Sequence, residues 1–177
     1  MSVFDNAFHT VIGVEGGYTA NPLDPGNWTG GKCRVGACNG TNFGISAAAY
    51  PTLDIANLTL AEAQEIYRRD YWTKTACDQI PSALAVLVFD AAVNSGPDRA
   101  VKWLQTSLNV TVDGVVGPIT IAAAKQSAGK GAAVLAEYQA QRLLFLTGLP
   151  TWRVFGLGWT RRVCTVQFAA LMVGEGV

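Results

Sequence analysis

The stretch VFDNAFHTVIGVEGG, residues 3–17, predicts the first helix of the fold and the place where that helix ends. Its apolar residues recur at the helical spacing of three and four and form one stripe: Phe4, Phe8 and Val11. Ser2 and Asp5 stand at the spacing of a capping box, and Gly16-Gly17 is expected to end the helix. We therefore expect an amphipathic helix with one face in a helical core.

Glu15 departs from this pattern, because it is a carboxylate one further step of four along the apolar stripe. The stripe directs its side chain towards the interior, where desolvation and the negative end of the helix dipole both raise the expected pKa. A carboxyl group that keeps its proton near neutral pH is suited to general acid catalysis. The alternative is an exposed Glu at a frayed helix end, and the stripe alone does not separate the two.

Composition predicts one globular domain. Half of the 177 residues are apolar, 15% are charged, and the formal net charge is zero. Without a basic patch we expect no nucleic-acid partner, and without a long apolar run we expect no stable membrane insertion. The N-terminus does not resemble a secretory signal. We therefore expect a protein that is made in the cytoplasm and that another factor must release if it works outside. We also expect a monomer.

The order of elements predicts a mainly α fold with one long loop or small β-region after the first helix. Residues 18–42 are rich in Gly, Pro and Asn, with short extended pieces expected around Gly31–Val35 and Asn42–Ile45. Loops of this length are usually functional. Further helices are expected at about residues 59–72, 82–95, 97–108, 118–125, 131–147 and 150–173. We divide the single domain, residues 1–177, into a catalytic part to about residue 95 and a C-terminal helical part from about residue 96.

The four cysteines do not have the spacing of a zinc site, and His9 is the only histidine, so we expect no metal centre. Cys33 and Cys38 bracket a glycine-rich segment in which a small disulfide is sterically plausible. Cys77 and Cys164 are expected to be buried thiols.

Asp24 and Thr41 join Glu15 as candidates for chemistry. Two carboxyl groups around one cleft suit glycosidic hydrolysis: one protonates the leaving oxygen, and the other activates water or stabilises the developing positive charge. The alternative for Asp24-Pro25-Gly26 is a plain turn, which its composition also fits.

The joint pattern of several motifs resembles glycoside hydrolase family 108, the N-acetylmuramidases that include bacteriophage endolysins. The motifs, in chain order, are Glu15-Gly16-Gly17-Tyr18, Asp24-Pro25-Gly26, Thr41-Asn42-Phe43-Gly44-Ile45, Asp54-Ile55, Leu58-Thr59, Ile66-Tyr67-Arg68-Arg69-Asp70-Tyr71-Trp72 and Phe89-Asp90-Ala91-Ala92-Val93-Asn94-Ser95-Gly96. The resemblance implies a lysozyme-like helical domain that acts on bacterial peptidoglycan without a cofactor.

The order Glu, Asp, Thr also resembles the catalytic arrangement of phage-type lysozymes. It implies Glu15 as general acid, Asp24 as partner carboxylate and Thr41 as a residue that positions water. Residues 27–40 intervene between the Asp-Pro-Gly turn and Thr41, whereas family members often make this connection quickly. Thr29 is therefore the rival of Thr41.

Substrate contacts are expected from Tyr18 and Asn42, beside these motifs, and from Asn94. Asp90, one turn before Asn94 on an otherwise apolar helix, needs a partner if it is buried. We favour an ion pair between Asp90 and an arginine at positions 68–69, while Asn94 is the candidate for the cleft floor.

Residues 112–118, Val-Asp-Gly-Val-Val-Gly-Pro, resemble a turn found in peptidoglycan-binding modules. As their immediate role we favour a Gly-Pro turn with Pro118 at the first position of a helix. Aromatic residues of the C-terminal part are mostly expected in the core, with one or two available to sugars: Trp103, Trp152, Phe155 and Trp159. The resemblance implies a muramidase that cleaves the β-1,4 bond after N-acetylmuramic acid. The alternatives are a lytic transglycosylase and a non-catalytic wall-binding or secretion-assisting protein on the same scaffold.

Overall fold

Helices dominate the structure, as the sequence predicts. The computed structural model describes residues 1–13, 17–127 and 131–174, so Glu15 lies outside the described residues. Within these ranges the regular elements are α1 (Val3–Ile12), β1 (Thr41–Asn42), β2 (Ile45–Ser46), α2 (Leu60–Tyr67), α3 (Ser82–Ser95), α4 (Pro97–Ser107), α5 (Pro118–Gln126), α6 (Gly131–Thr147) and α7 (Trp152–Gly174). None of the helices in these ranges has the combination of length and hydrophobicity that crossing a membrane requires.

The predicted capping box of α1 is confirmed, but the helix is shorter than predicted. The backbone N–H of Ser2 donates to Asp5 Oδ2 at 2.9 Å, and the N–H of Asp5 donates to Ser2 Oγ at 3.1 Å. The helix ends at Ile12 because Gly13 has a φ of +68°, a left-handed conformation that glycine adopts without strain. The predicted end at Gly16-Gly17 is therefore wrong.

Residues 1–11 and 68–177 form one compact unit around α3. Every residue of α3 from Leu84 to Ala92 is buried, and the helix packs against α4, α6 and α7. Aromatic rings extend this core: Phe4 of α1 contacts Trp72 and Phe89, with centroids 5.3 and 5.7 Å apart. Helices α4, α6 and α7 therefore share α3 as their common packing partner.

Asp90 is completely buried in α3, and its carboxylate is paired with two arginines of later helices. Arg142 of α6, 1% exposed, donates to Oδ2, and Arg162 of α7 donates to Oδ1 at 2.7 Å. The expectation that residues 68–69 supply the partner is wrong. Arg68 lies over the ring of Phe4, 4.1 Å from its centroid, while Arg69 pairs with Asp70.

The four cysteines are free thiols. Cys77 is buried as predicted, and burial raises the pKa of its thiol to about 12. Cys164 is exposed on α7, so the expectation that it is buried is wrong. Trp103 lies in the core against Tyr138 and Phe145.

Residues 12–67 form the second compact unit. Its only α-helix wholly within the described part, α2, begins with the predicted capping box, in which Glu62 accepts from the backbone N–H of Thr59 at 2.8 Å. Strands β1 and β2 pair antiparallel, with Thr41 opposite Ser46. Phe43 and Gly44 connect them with φ values of +48° and +74°, as a two-residue primed turn requires.

The long loop before β1 is mostly irregular, as predicted, and is held together by isolated bridges. Thr19 pairs with Thr41, and Trp28 pairs with Cys38. The extended piece predicted around Gly31–Val35 is wrong, because Arg34 has a φ of +67° and the segment folds into consecutive turns.

Candidate functional site

Asp24 caps a single 3-10 turn, Pro25–Asn27. Its Oδ1 accepts a 2.8 Å hydrogen bond from the backbone N–H of Gly26, and Pro25 supplies the φ that the turn needs. The side chain is exposed, and its Oδ2 accepts no hydrogen bond from any residue that the structure describes. One carboxylate oxygen thus fixes the rotamer while the other faces solvent.

Asn27, at the end of this turn, is fully buried and links the turn to Thr41. Its Oδ1 accepts from Thr41 Oγ1 at 2.7 Å, and its Nδ2 donates to the carbonyl of Asn21 at 3.0 Å. The same carbonyl accepts from the backbone N–H of Asp24 at 3.1 Å. Asp24 and Thr41 therefore belong to one hydrogen-bonded network, although seventeen positions separate them in the sequence.

Thr41 itself is held on both sides. Its backbone exchanges two hydrogen bonds with Thr19, of 2.8 and 2.9 Å, and its hydroxyl proton is directed at Asn27. The rival Thr29 uses its hydroxyl within the inserted segment, where Oγ1 accepts from the backbone N–H of Ala37 at 3.0 Å. The network through Asn27 therefore favours Thr41 as the partner of the Asp24 turn.

Tyr18 and Asn42 differ sharply in exposure. Tyr18 is 47% exposed, as a sugar contact must be. Asn42 is 7% exposed, and its Nδ2 donates to the carbonyls of Ile55 and Leu58 at 3.2 and 3.4 Å. These bonds give the Asn42 amide a role in holding the segment after β2 in place.

Asn94 takes no part in this network, and Glu15 is not among the described residues. Asn94 is exposed near the end of α3, in the other compact unit, and accepts a 3.5 Å hydrogen bond from Ser95. The role predicted for Glu15 remains a prediction, since that residue lies outside the described part of the chain. Among residues 1–13, 17–127 and 131–174, no group of three or more His, Cys, Asp or Glu is arranged to hold a metal ion.

The turn at residues 112–118 is organised by Gln105, a buried side chain of α4. Gln105 Nε2 donates to Asp113 Oδ1 at 2.6 Å, and its Oε1 accepts from the backbone N–H of Gly114 at 2.8 Å. The hydrogen bond from Gln105, followed by that from Val115 N–H, lowers the pKa of Asp113 below its usual range. Pro118 begins α5, as the Gly-Pro interpretation predicts.

Two residues of the site were missed by sequence reasoning. The sequence singles out Asn27 only as the first residue of the segment 27–40. An amide directly after an Asp-Pro-Gly turn is the feature that could have indicated its role. Gly40 was not singled out either, although it directly precedes Thr41. It has a φ of +84°, and a Cβ there would lie 2.6 Å from Tyr18 Cε2.

Known proteins match this chain over nearly its whole length. The family described as Glycosyl hydrolase 108 matches residues 8–96, and the one described as Predicted Peptidoglycan domain matches residues 99–164. The solved structure of Brucella abortus SagA is 37% identical, covers 97% of this chain and 95% of its own, and superimposes with a TM-score of 0.78. No curated protein matches the chain.

These matches confirm the family that the motifs indicated. They support glycoside hydrolase activity in general and a role in hydrolysing or binding peptidoglycan, which is the partner that the second match names. The first match spans half of the sequence and includes Asp24, Asn27 and Thr41, so the chain belongs to the glycosyl hydrolase 108 family.

Proposed function

We propose that this protein is an N-acetylmuramidase that cleaves the β-1,4 bond between N-acetylmuramic acid and N-acetylglucosamine in peptidoglycan. The observation that carries the proposal is the network in which Asp24 and Thr41 are joined through the buried Asn27. In this network Asp24 offers a carboxylate with one oxygen facing solvent, and Thr41 offers a hydroxyl whose orientation is fixed. Membership of a glycoside hydrolase family supports the same chemistry.

In the proposed reaction Glu15 is the general acid. It transfers its proton to the leaving O4 of N-acetylglucosamine while the bond between that oxygen and C1 of N-acetylmuramic acid breaks. In the direct route water adds to C1 and its proton passes to Asp24. In the covalent route Asp24 first bonds to C1, and water then displaces its carboxylate while giving its proton to Glu15, which by then is ionised. The products are a new reducing end and a free 4-hydroxyl, so no oxidant, reductant or metal enters the balance.

Thr41 is the proposed water-positioning residue. Because its hydroxyl proton is directed at Asn27 Oδ1, the remaining lone pairs of Oγ1 are available to accept from a water molecule. A water held in this way would keep its oxygen lone pair free for attack. Asn27 then acts through Thr41, as a positioning residue.

The helical part that begins after α3 is proposed to bind peptidoglycan, and the protein is proposed to act as a monomer at the cell wall. The match of residues 99–164 to a peptidoglycan domain supports this role of the helical part. The exposed rings of α7, such as Phe155, are available for weak contacts to the wall.

Analysis of released muropeptides tests the proposal. Purified peptidoglycan is digested with the protein in heavy-oxygen water, reduced with borohydride and examined by mass spectrometry. We expect N-acetylmuramitol ends that carry one heavy oxygen. Terminal 1,6-anhydro sugars would instead identify a lytic transglycosylase, N-acetylglucosaminitol ends a glucosaminidase, and wall binding without fragments a non-catalytic protein.

A further inference from the structure

A pocket of about 380 Å³ lies in the unit of residues 12–67, the unit that also contains Asp24 and Thr41. Tyr18 and Asn39 line it together with the turn of residues 51–56. We propose that this pocket binds one N-acetylhexosamine ring of the glycan, with Tyr18 as the stacking surface and Asn39 as the residue that recognises the acetamide group. The inference rests on the proposed function and adds to it a defined sugar subsite.

Tyr18 is fixed in place by its neighbours while part of its ring stays exposed. Thr19, the next residue, pairs with Thr41 through two backbone hydrogen bonds. On the ring itself, Cε2 and Cζ pack so closely against Gly40 that an added Cβ would come within 2.6 and 3.0 Å of them. A rigid, half-exposed aromatic ring binds an apolar sugar face without a large loss of side-chain entropy.

Asn39 provides the polar group of the pocket. Its side chain is half-buried, and its amide makes no hydrogen bond to any residue in the described ranges. A side-chain amide has a carbonyl acceptor and an NH₂ donor. These complement the N–H and carbonyl of an acetamide, which is the group that distinguishes both sugars of peptidoglycan from glucose.

Cys38 and the turn of residues 51–56 form the rest of the pocket and contribute both polar and apolar groups. Leu53 and Ala56 are among the apolar ones, and the buried amide of Asn42 holds the carbonyl of Ile55. The volume is at the small end of the roughly 300–1,000 Å³ typical of small-molecule sites, which suits one ring rather than an extended glycan. Apolar side chains in the same pocket as an amide suit the methyl group of an acetamide.

Asp54, at the edge of the pocket, favours a different occupant, the amine of a stem peptide. However, its carboxylate already accepts a 2.9 Å hydrogen bond from the amide of Asn57. The exposed ring of Tyr18 and the Asn39 amide, which has no hydrogen-bond partner in the described part of the chain, favour a sugar over an amine. Binding of the stem peptide becomes an outcome of the test.

The test is an NMR titration of the intact protein with three soluble probes: the N-acetylglucosamine trisaccharide, cellotriose, which lacks acetamide groups, and a stem peptide. We expect Tyr18→Ala to weaken trisaccharide binding at least about tenfold, the scale of an aromatic anchor, and Tyr18→Phe to retain it. Asn39→Ala should weaken binding of the trisaccharide but leave any binding of cellotriose unchanged. Leu60→Ala removes an apolar side chain of similar exposure, 45% against 47% for Tyr18, outside the pocket and is the matched control.

Equal affinity of the wild type and of Tyr18→Ala for the trisaccharide would overturn the proposal, as would binding of the stem peptide alone. If Tyr18→Ala does not fold, as judged by its melting temperature, Asn39→Ala and the cellotriose comparison still decide the question. Binding is measured without turnover, so a protein that binds the trisaccharide here but releases no fragments from peptidoglycan would refute only the proposed activity.

Discussion

The hydroxyl of Thr41 donates a 2.7 Å hydrogen bond to Oδ1 of Asn27, a side chain with no exposed surface. The NH₂ group of the same amide donates to the carbonyl of Asn21, so the amide orientation is set from the other side. Asn27 also lies in the turn that Asp24 caps. One buried amide therefore relates the hydroxyl and the carboxylate of the proposed site.

Replacing Asn27 with Ala should affect both stability and activity. The change removes the acceptor of the Thr41 hydroxyl and one of the two donors to the Asn21 carbonyl, which keeps the bond from Asp24 N–H, at a cost of about 1–3 kcal/mol in the free energy of unfolding. Lysis of a cell-wall suspension should slow, because the Thr41 hydroxyl is no longer oriented. Urea denaturation and turbidity loss on the same preparation measure the two effects.

The control for Asn27 is Asn57→Ala, which removes an exposed amide that bonds only to Asp54 in the described part of the chain. Asn57→Ala should change neither the free energy of unfolding nor the rate of lysis by much. Thr41→Ser keeps the hydroxyl and should stay active, whereas Thr41→Val should lose activity while folding. Full activity in Thr41→Val would remove Thr41 from the mechanism and make Thr29 the residue to test.

Asp24→Asn should fold normally and lose most of its activity. The amide oxygen of Asn can accept the hydrogen bond from Gly26 N–H that the carboxylate Oδ1 now accepts, so the turn is preserved. The negative charge that takes up the proton of water is lost. Muropeptide release measured at equal melting temperature tests this, and wild-type turnover would assign the role to another carboxylate.

Asp90→Asn should destabilise the protein strongly without acting through the proposed site. Arg142 is 1% exposed, and removal of its counter-charge leaves a buried cation uncompensated, typically at a cost of about 3–5 kcal/mol. Asp98→Asn is the matched control, because it breaks an exposed pair with Lys102 that is worth about 0–1 kcal/mol. Comparable melting temperatures for the two variants would contradict this assignment.

Local sequence patterns predicted the helices of the fold well. They could not predict which residues distant in sequence contact one another. The capping boxes at Ser2 and Thr59 and the apolar run of α3 depend on neighbours within a few residues, and the structure confirms them. The partners of Asp90 lie 52 and 72 positions away, so only the packing of α3, α6 and α7 reveals them. For this reason the sequence-based prediction paired Asp90 with the arginines at positions 68–69, which are nearer in the sequence.

In the candidate site, too, local features could be predicted from the sequence and long-range contacts could not. The Asp-Pro-Gly turn and its cap follow from three adjacent residues, and both could be predicted. The link from Asn27 to Thr41 spans the inserted segment, whose path is set by bridges such as Trp28 to Cys38. Which face of α7 is buried depends on tertiary packing, and for this reason Cys164 was wrongly expected to be inside.

The cysteines should react in an order set by burial. Exposed Cys33 and Cys164 should react rapidly with Ellman's reagent at pH 8, whereas Cys77 should react only after denaturation. Burial raises the pKa of Cys77 from its ordinary 9.0 to about 12, so the folded protein holds this proton more tightly than the unfolded chain does. This contribution to stability is fully present below pH 9 and is lost as the pH rises towards 12. Rapid reaction of Cys77 in the native protein would contradict its buried position.

Glu15→Gln is the substitution on which the proposed mechanism depends. It keeps the shape of the side chain and removes the proton that the leaving oxygen needs, so lysis should fall by about 10²–10⁴-fold, the usual contribution of general acid catalysis. Because α1 ends at Ile12, its dipole gives no reason for a change in stability, and we expect an unchanged melting temperature. Glu65→Gln, an exposed carboxylate of α2, is the control and should leave lysis and melting temperature unchanged. If Glu15 were only an exposed residue after a helix, Glu15→Gln would behave like this control, and an active variant would exclude Glu15 as the acid.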